Sequence, residues 1–93
     1  MVTENGLADA TDRQRPDFIR RSLNSLNRAK FGHDGLPPVD IRGYYHWSLT
    51  DNFEWRYGYA HRFGLIAIQY DQGLTRLVRE SARVYAQEIQ VRR

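Results

Sequence analysis

The sequence has 93 residues, 41% of them hydrophobic and 27% charged, with a formal net charge of +3 and no cysteine. That length suits one small domain with a thin core margin, because a short chain buries a smaller share of its surface. The missing cysteines exclude a disulfide framework and a thiolate metal site, and no apolar run approaches a membrane span.

The chain opens without the basic and apolar regions of a secretory signal. With the absence of cysteine, this sets the expectation of a cytoplasmic protein. The pI near 9.6 and mean hydropathy of −0.71 describe a basic, polar chain. The arginines stand beside acids, as in Asp12-Arg13, Asp40-Ile41-Arg42, Glu54-Trp55-Arg56 and Arg79-Glu80. Interspersed signs make a solvated surface rather than a binding stripe, so neither nucleic acid nor membrane is expected as a partner.

Met1 to Glu4 reads as the end of a strand, broken at Asn5-Gly6. Asp9, Thr11 and Asp12 offer N-cap oxygens, and Pro16 suits a first helical turn. Phe18, Ile19, Leu23, Leu26 and Ala29 fall at helical spacing, predicting a helix over 17–30. Gly32 to Pro38 is a breaker-rich loop. A second, aromatic-rich strand is expected over 41–49, then a polar and aromatic loop over 50–62. Residues 63–70 are extended again, and Asp71-Gln72-Gly73 turns the chain into Leu74 to Leu77. A last helix over 79–91 places Ala82, Tyr85, Ala86 and Ile89 on one face. Two strands joined by a helix imply a parallel pair with a right-handed crossover. Glu4 and Trp47 then share the carboxyl edge of the strands, where α/β sites form.

Two runs carry a family resemblance. Val2-Thr3-Glu4-Asn5-Gly6 resembles the nucleophile motif of family 1 β-glycosidases, at the end of the seventh barrel strand. The stretch RGYYHWSLTDNFEWRYGYAHRFGL, from Arg42 to Leu65, resembles that family's eighth strand and following loop. Ser81 to Tyr85, S-A-R-V-Y, is similar to its last helix, so the likeness covers essentially the whole chain. Leu7 to Ala10, Arg15-Pro16 and Tyr45-His46-Trp47 look most like the archaeal and actinobacterial β-glucosidase/β-galactosidase branch. Two local features depart from it: a longer loop from Phe31 to Val39, and Val78 where a proline is usual.

The resemblance implies an α/β fold in which residues 1–93 form the last two βα units, about a quarter, of a (β/α)8 TIM barrel. A closed barrel needs about 250 residues, so the expected partner is the missing N-terminal portion. It also implies retaining hydrolysis of terminal non-reducing β-glycosidic bonds in β-glycosides or oligosaccharides, without cofactor or metal. By position in the motif, Glu4 is the nucleophile; without the motif it would read as a surface glutamate. Glu54 matches a residue that accepts hydrogen bonds from sugar hydroxyls, against the plainer reading of a salt bridge with Arg56 or Arg62. Trp47 matches the indole on which the sugar ring sits, Trp55 an indole N–H donor to a hydroxyl, and Phe63 a rim aromatic; core packing is the alternative for each. The acid/base lies on an earlier strand of the family's barrel, so these residues alone are expected to be inactive.

His46 and His61, without cysteine or an i, i+4 partner, meet no metal-ligand pattern and read as hydrogen-bonded histidines near the pocket. Asp51 and Asn52 are expected to brace their loop through nearby backbone. A catalytically inactive carbohydrate-binding or interaction fragment is the alternative reading, with an Arg-rich nucleic-acid binder third.

Overall fold

A computed structural model describes residues 1–92. In chain order the elements are β1 (Val2–Asn5), α1 (Arg15–Phe31), β2 (Tyr44–His46), β3 (Ile66–Gln69), β4 (Thr75–Val78) and α2 (Glu80–Val91), with a 3₁₀ turn at Trp55–Tyr57. β1 and β2 pair in parallel, Val2 opposite Tyr44 and Asn5 opposite His46, with an irregularity between. The expected strand–helix–strand unit is therefore present. Beyond it, β3 and β4 form an antiparallel hairpin, from Ile66 opposite Val78 to Gln69 opposite Thr75.

Local chemistry sets these bounds. Pro16 lies in the first turn of α1, where its missing N–H costs nothing, and the helix begins at Arg15 rather than Asp17. None of the expected side chains is its N-cap residue, since that position is Gln14. Asp9 serves the helix from further back: its carboxylate accepts the Gln14 and Arg15 N–H groups at 2.9 and 3.2 Å. β2 has three residues where nine were expected. After Trp47 the backbone turns to a different partner, with Ser48 N–H donating to Phe63 O at 3.2 Å and Leu65 N–H to Ser48 O at 2.9 Å.

The core is small: Ile19, Leu23, Leu65 and Val84 are buried, with Phe18, Leu26, Tyr44, Ala82 and Tyr85 against them. Each such side chain contributes about 1.5–3 kcal/mol when removed from water. The predicted stripe of α1 holds. That of α2 is rotated: Ser81 and Val84 face the core, while Ala86 and Ile89 are exposed. The reason is polar docking of the far end of α2 on the middle of α1, where Glu88 approaches Arg20 at 3.9 Å and Arg92 donates to Asn24 at 2.7 Å. That contact places position 88 inward and turns position 89 outward.

Charge pairing departs from sequence adjacency in the same way. Arg42 does pair with Asp40, but Asp12 holds Arg15, Arg79 holds Asp51, and Glu80 meets Arg83. The Cα radius of gyration is 15.0 Å, against about 12 Å for a compact domain of this length. Met1, Tyr45, Leu49 and Phe53 are all more than half exposed.

Candidate active site

β1 and β2 run the same way, so their carboxyl ends open on one edge, and the residues there line a cleft of about 390 Å³. Its walls are Glu4, Asn5, Gly6, Trp47, Glu54 and Phe63. Gly6 makes this closeness possible. A Cβ on Gly6 would lie 1.8 Å from the Trp47 carbonyl oxygen, so only glycine lets the end of β1 approach Trp47. The Trp47–Ser48 peptide bond is cis.

Within the cleft Trp47 Nε1–H donates to Glu54 Oε1 at 3.1 Å. That bond fixes the indole and carboxylate relative to one another and leaves the second Glu54 oxygen to accept. Glu54 thus meets neither Arg56 nor Arg62, which donate to Tyr57 and Asp51. Asn5 is turned aside, its amide donating to the Tyr44 hydroxyl at 3.0 Å and joining the two strands. Glu4 is exposed at the cleft. Two carboxylates, an indole face and an aromatic edge suit a ring that presents hydroxyls on its rim and C–H groups on its face.

Trp55 does not join these residues. It is 82% exposed, holds a positive φ of 51°, and contacts the edge of Phe53 at 6.4 Å. It lines a neighbouring hollow of about 580 Å³ with Arg56, Tyr57 and His61, which shares Glu54 and Phe63 with the cleft. Four of the five expected site residues are therefore gathered, and the fifth faces the adjoining space.

The loop that carries Glu54 is held by a buried ionic cluster. Asp51 accepts from Arg79 at 2.8 and 3.1 Å, from Arg62 at 3.0 Å, and from the Gly64 and Ile68 N–H groups at 2.9 and 3.3 Å. Burial alone raises its pKa, but these hydrogen bonds outweigh it and hold the carboxyl below its ordinary range. Asp51 was expected to brace the loop; its arginine partners were not foreseen. Asn52 braces its own loop, donating to Thr50 O at 3.2 Å.

Arg15, named in the sequence only as part of the Arg15-Pro16 pair, is fully buried, a role the sequence reading did not give it. The signal was present: with Pro16 in a first helical turn, Arg15 falls four residues before Ile19 and eight before Leu23, on the apolar stripe. His46 differs from expectation too. Neither ring nitrogen finds a partner among the described residues, the ring packs 5.7 Å from Tyr85, and burial first, then Arg15, lowers its pKa to about 4. The His61 ring packs against Tyr57 at 4.5 Å between ring centres, tilted by 58°. No three His, Asp or Glu side chains gather as a metal cluster among the described residues, and no described helix is long and apolar enough to cross a membrane.

The sequence profile of Glycosyl hydrolase family 1 matches residues 1–93. A β-galactosidase of Sulfolobus acidocaldarius is 45% identical over 86 residues, covering 90% of this chain and 16% of the relative. Beta-glucosidase 42 of Arabidopsis thaliana is 41% identical, covering 87% of this chain and 18% of the relative. The crystal structure of a hyperthermophilic β-glucosidase from Pyrococcus furiosus superposes with a TM-score of 0.82 at 43% identity, covering 95% of this chain and 18% of that one. The chain thus spans under a fifth of the length of the curated relatives it matches.

Proposed function

The chain belongs to glycosyl hydrolase family 1, and from that membership we propose that it carries the nucleophile and part of the sugar pocket of a retaining β-glycosidase. The supporting observation is the single cleft that brings Glu4, Trp47, Glu54 and Phe63 together from segments more than 40 residues apart. In this reading residues 1–93 are the last two βα units of a TIM barrel. The unpaired outer edges of the β1–β2 pair, the exposed Met1, Tyr45 and Leu49, and the extended shape support a seat against further barrel strands. A cytoplasmic setting remains part of the proposal.

The mechanism follows from the groups present. A pyranose lies with its C–H face on Trp47 and two hydroxyls on the Glu54 carboxylate, already oriented by the Trp47 indole. The Glu4 carboxylate attacks the anomeric carbon as the aglycone departs with a proton from an acid outside these residues. The acid, now a base, then activates water, which releases the sugar with retained configuration. Retention needs the two carboxyl groups about 5–5.5 Å apart, so the acid/base must face Glu4 across the cleft. Trp55 completes the pocket only if the loop it sits on is pressed inward by the neighbouring barrel loops.

The test is assembly. Mixed with a family member's barrel from which the matching C-terminal segment has been removed, this chain should give β-glycoside hydrolysis that neither part shows alone. Co-purification and folding without hydrolysis would leave the alternative, a sugar-binding fragment.

A further inference from the structure

The residues that line the cleft come from two stretches with no covalent tie near it; besides the β1–β2 pairing, where Trp47 N–H donates to Asn5 O at 2.9 Å, one buried side chain bridges them. Arg15, fully buried, extends its guanidinium from the first turn of α1 into the gap between the segment after β1 and the segment before β3. Nη2 donates to the Arg62 carbonyl at 2.7 Å, to Asp9 O at 2.5 Å and to Leu7 O at 3.2 Å. Nη1 donates to Asp12 Oδ1 at 2.5 Å, and the other Asp12 oxygen accepts the Ser81 N–H at 2.9 Å, at the start of α2. The Arg62 carbonyl also takes the Asp9 N–H at 2.9 Å.

These bonds lead directly to the cleft. Leu7 follows Gly6, whose Cα abuts the Trp47 carbonyl, and Arg62 precedes Phe63, whose carbonyl holds Ser48 N–H at 3.2 Å. From its other side Arg62 is gripped through its guanidinium by Asp51 and by Ile68 O at 2.8 Å. Such a fork satisfies several carbonyls in fixed directions at once, which an ammonium group cannot do.

We infer that Arg15 is a positioning residue, which locks the strand end bearing Glu4 to the segment bearing Trp47 and Phe63 and so sets the width of the cleft. The catalytic part of this inference rests on the proposed glycosidase reading; the geometric part does not.

Arg15→Lys keeps the charge and loses the fork. Two-dimensional ¹H–¹⁵N spectra of the 93-residue chain, with the Trp47 indole N–H assigned by Trp55→Phe, read the cleft directly. The Trp47 indole resonance should shift or broaden in Arg15→Lys, while in ¹H–¹³C spectra the methyls of Ile19, Leu23 and Val84 keep their positions. In the assembled enzyme kcat should fall on the order of 10²-fold, as for a misplacement of about 1 Å, with KM little changed. If Arg15→Lys fails to fold, Asp12→Asn keeps the fork and weakens one of its acceptors, and it should move the same indole resonance. The inference is overturned if the variant that folds melts lower yet leaves the Trp47 resonance at its parent position and kcat at the parent value; Arg15 then only supports the core. If the assembled parent shows no hydrolysis, the catalytic reading falls while the indole resonance still decides the role of Arg15.

Discussion

Asp51→Ala removes a side chain that is 1% exposed and satisfies two arginines and two backbone N–H groups. Arg79, itself 9% exposed, would keep its charge with no carboxylate to face. Breaking a buried pair from one side costs about 3–5 kcal/mol, because the remaining ion cannot recover its hydration. Orphaned N–H groups at Gly64 and Ile68 add to this, about 1–3 kcal/mol each where water cannot reach them. Arg62, 29% exposed, keeps its charge but turns it to solvent, so its unpairing adds little. With a urea slope of about 2 kcal/mol per molar, a 4 kcal/mol loss moves the midpoint by about 2 M. Urea titration followed by far-UV circular dichroism measures it, with Asp40→Ala as control. That substitution breaks an exposed pair whose side chains are 81% and 71% accessible and should cost under about 0.5 kcal/mol. Should Asp51→Ala lie within about 1 kcal/mol of Asp40→Ala, the cluster is not the brace described above.

Two further outcomes follow from the same geometry. Gly6→Ala drives a Cβ to 1.8 Å from the Trp47 carbonyl and should lower turnover of the assembled enzyme on the order of 10²-fold; Gly43→Ala, whose nearest neighbour is a Met1 side-chain atom at 3.4 Å, should stay near the parent rate. His46 titrates near 4 in the fold against an ordinary 6.5, so its neutral form's contribution is complete above pH 6.5 and is lost as pH falls toward 4. Thermal melts over that interval should decline with a slope of at most about 1.4 kcal/mol per pH unit, the value for one proton, and His46→Phe should flatten it. A pH response that His46→Phe leaves intact would place the titration elsewhere.

Much of this was legible in the sequence, and the parts that were not have physical causes. The helix of Ile19 and Leu23 follows from spacing, and the parallel pair from strand–helix–strand order. Their shared edge then puts Glu4 beside Trp47 without any appeal to family. Turn residues 71–73 announced the reversal between β3 and β4, although not its antiparallel pairing. Contacts between distant segments escaped. Position 89 is apolar but faces water, because Glu88 and Arg92 dock on Arg20 and Asn24. Arginines look like surface residues until the carbonyls around them are known, which is why Arg15 and Arg79 were not seen as buried. Trp55 carries the right motif but its place depends on a loop, and a loop is set by what presses on it.

In the proposed reaction Glu4 forms the covalent bond to the sugar. The most direct measurement incubates the assembled enzyme with a slow-turnover 2-deoxy-2-fluoro-β-glycoside, digests it, and locates the adduct by mass spectrometry. A glycosyl ester should appear on the peptide containing Glu4 and be absent from Glu4→Gln. An adduct on Glu54, or hydrolysis that proceeds with inverted configuration and no adduct, would contradict that role of Glu4.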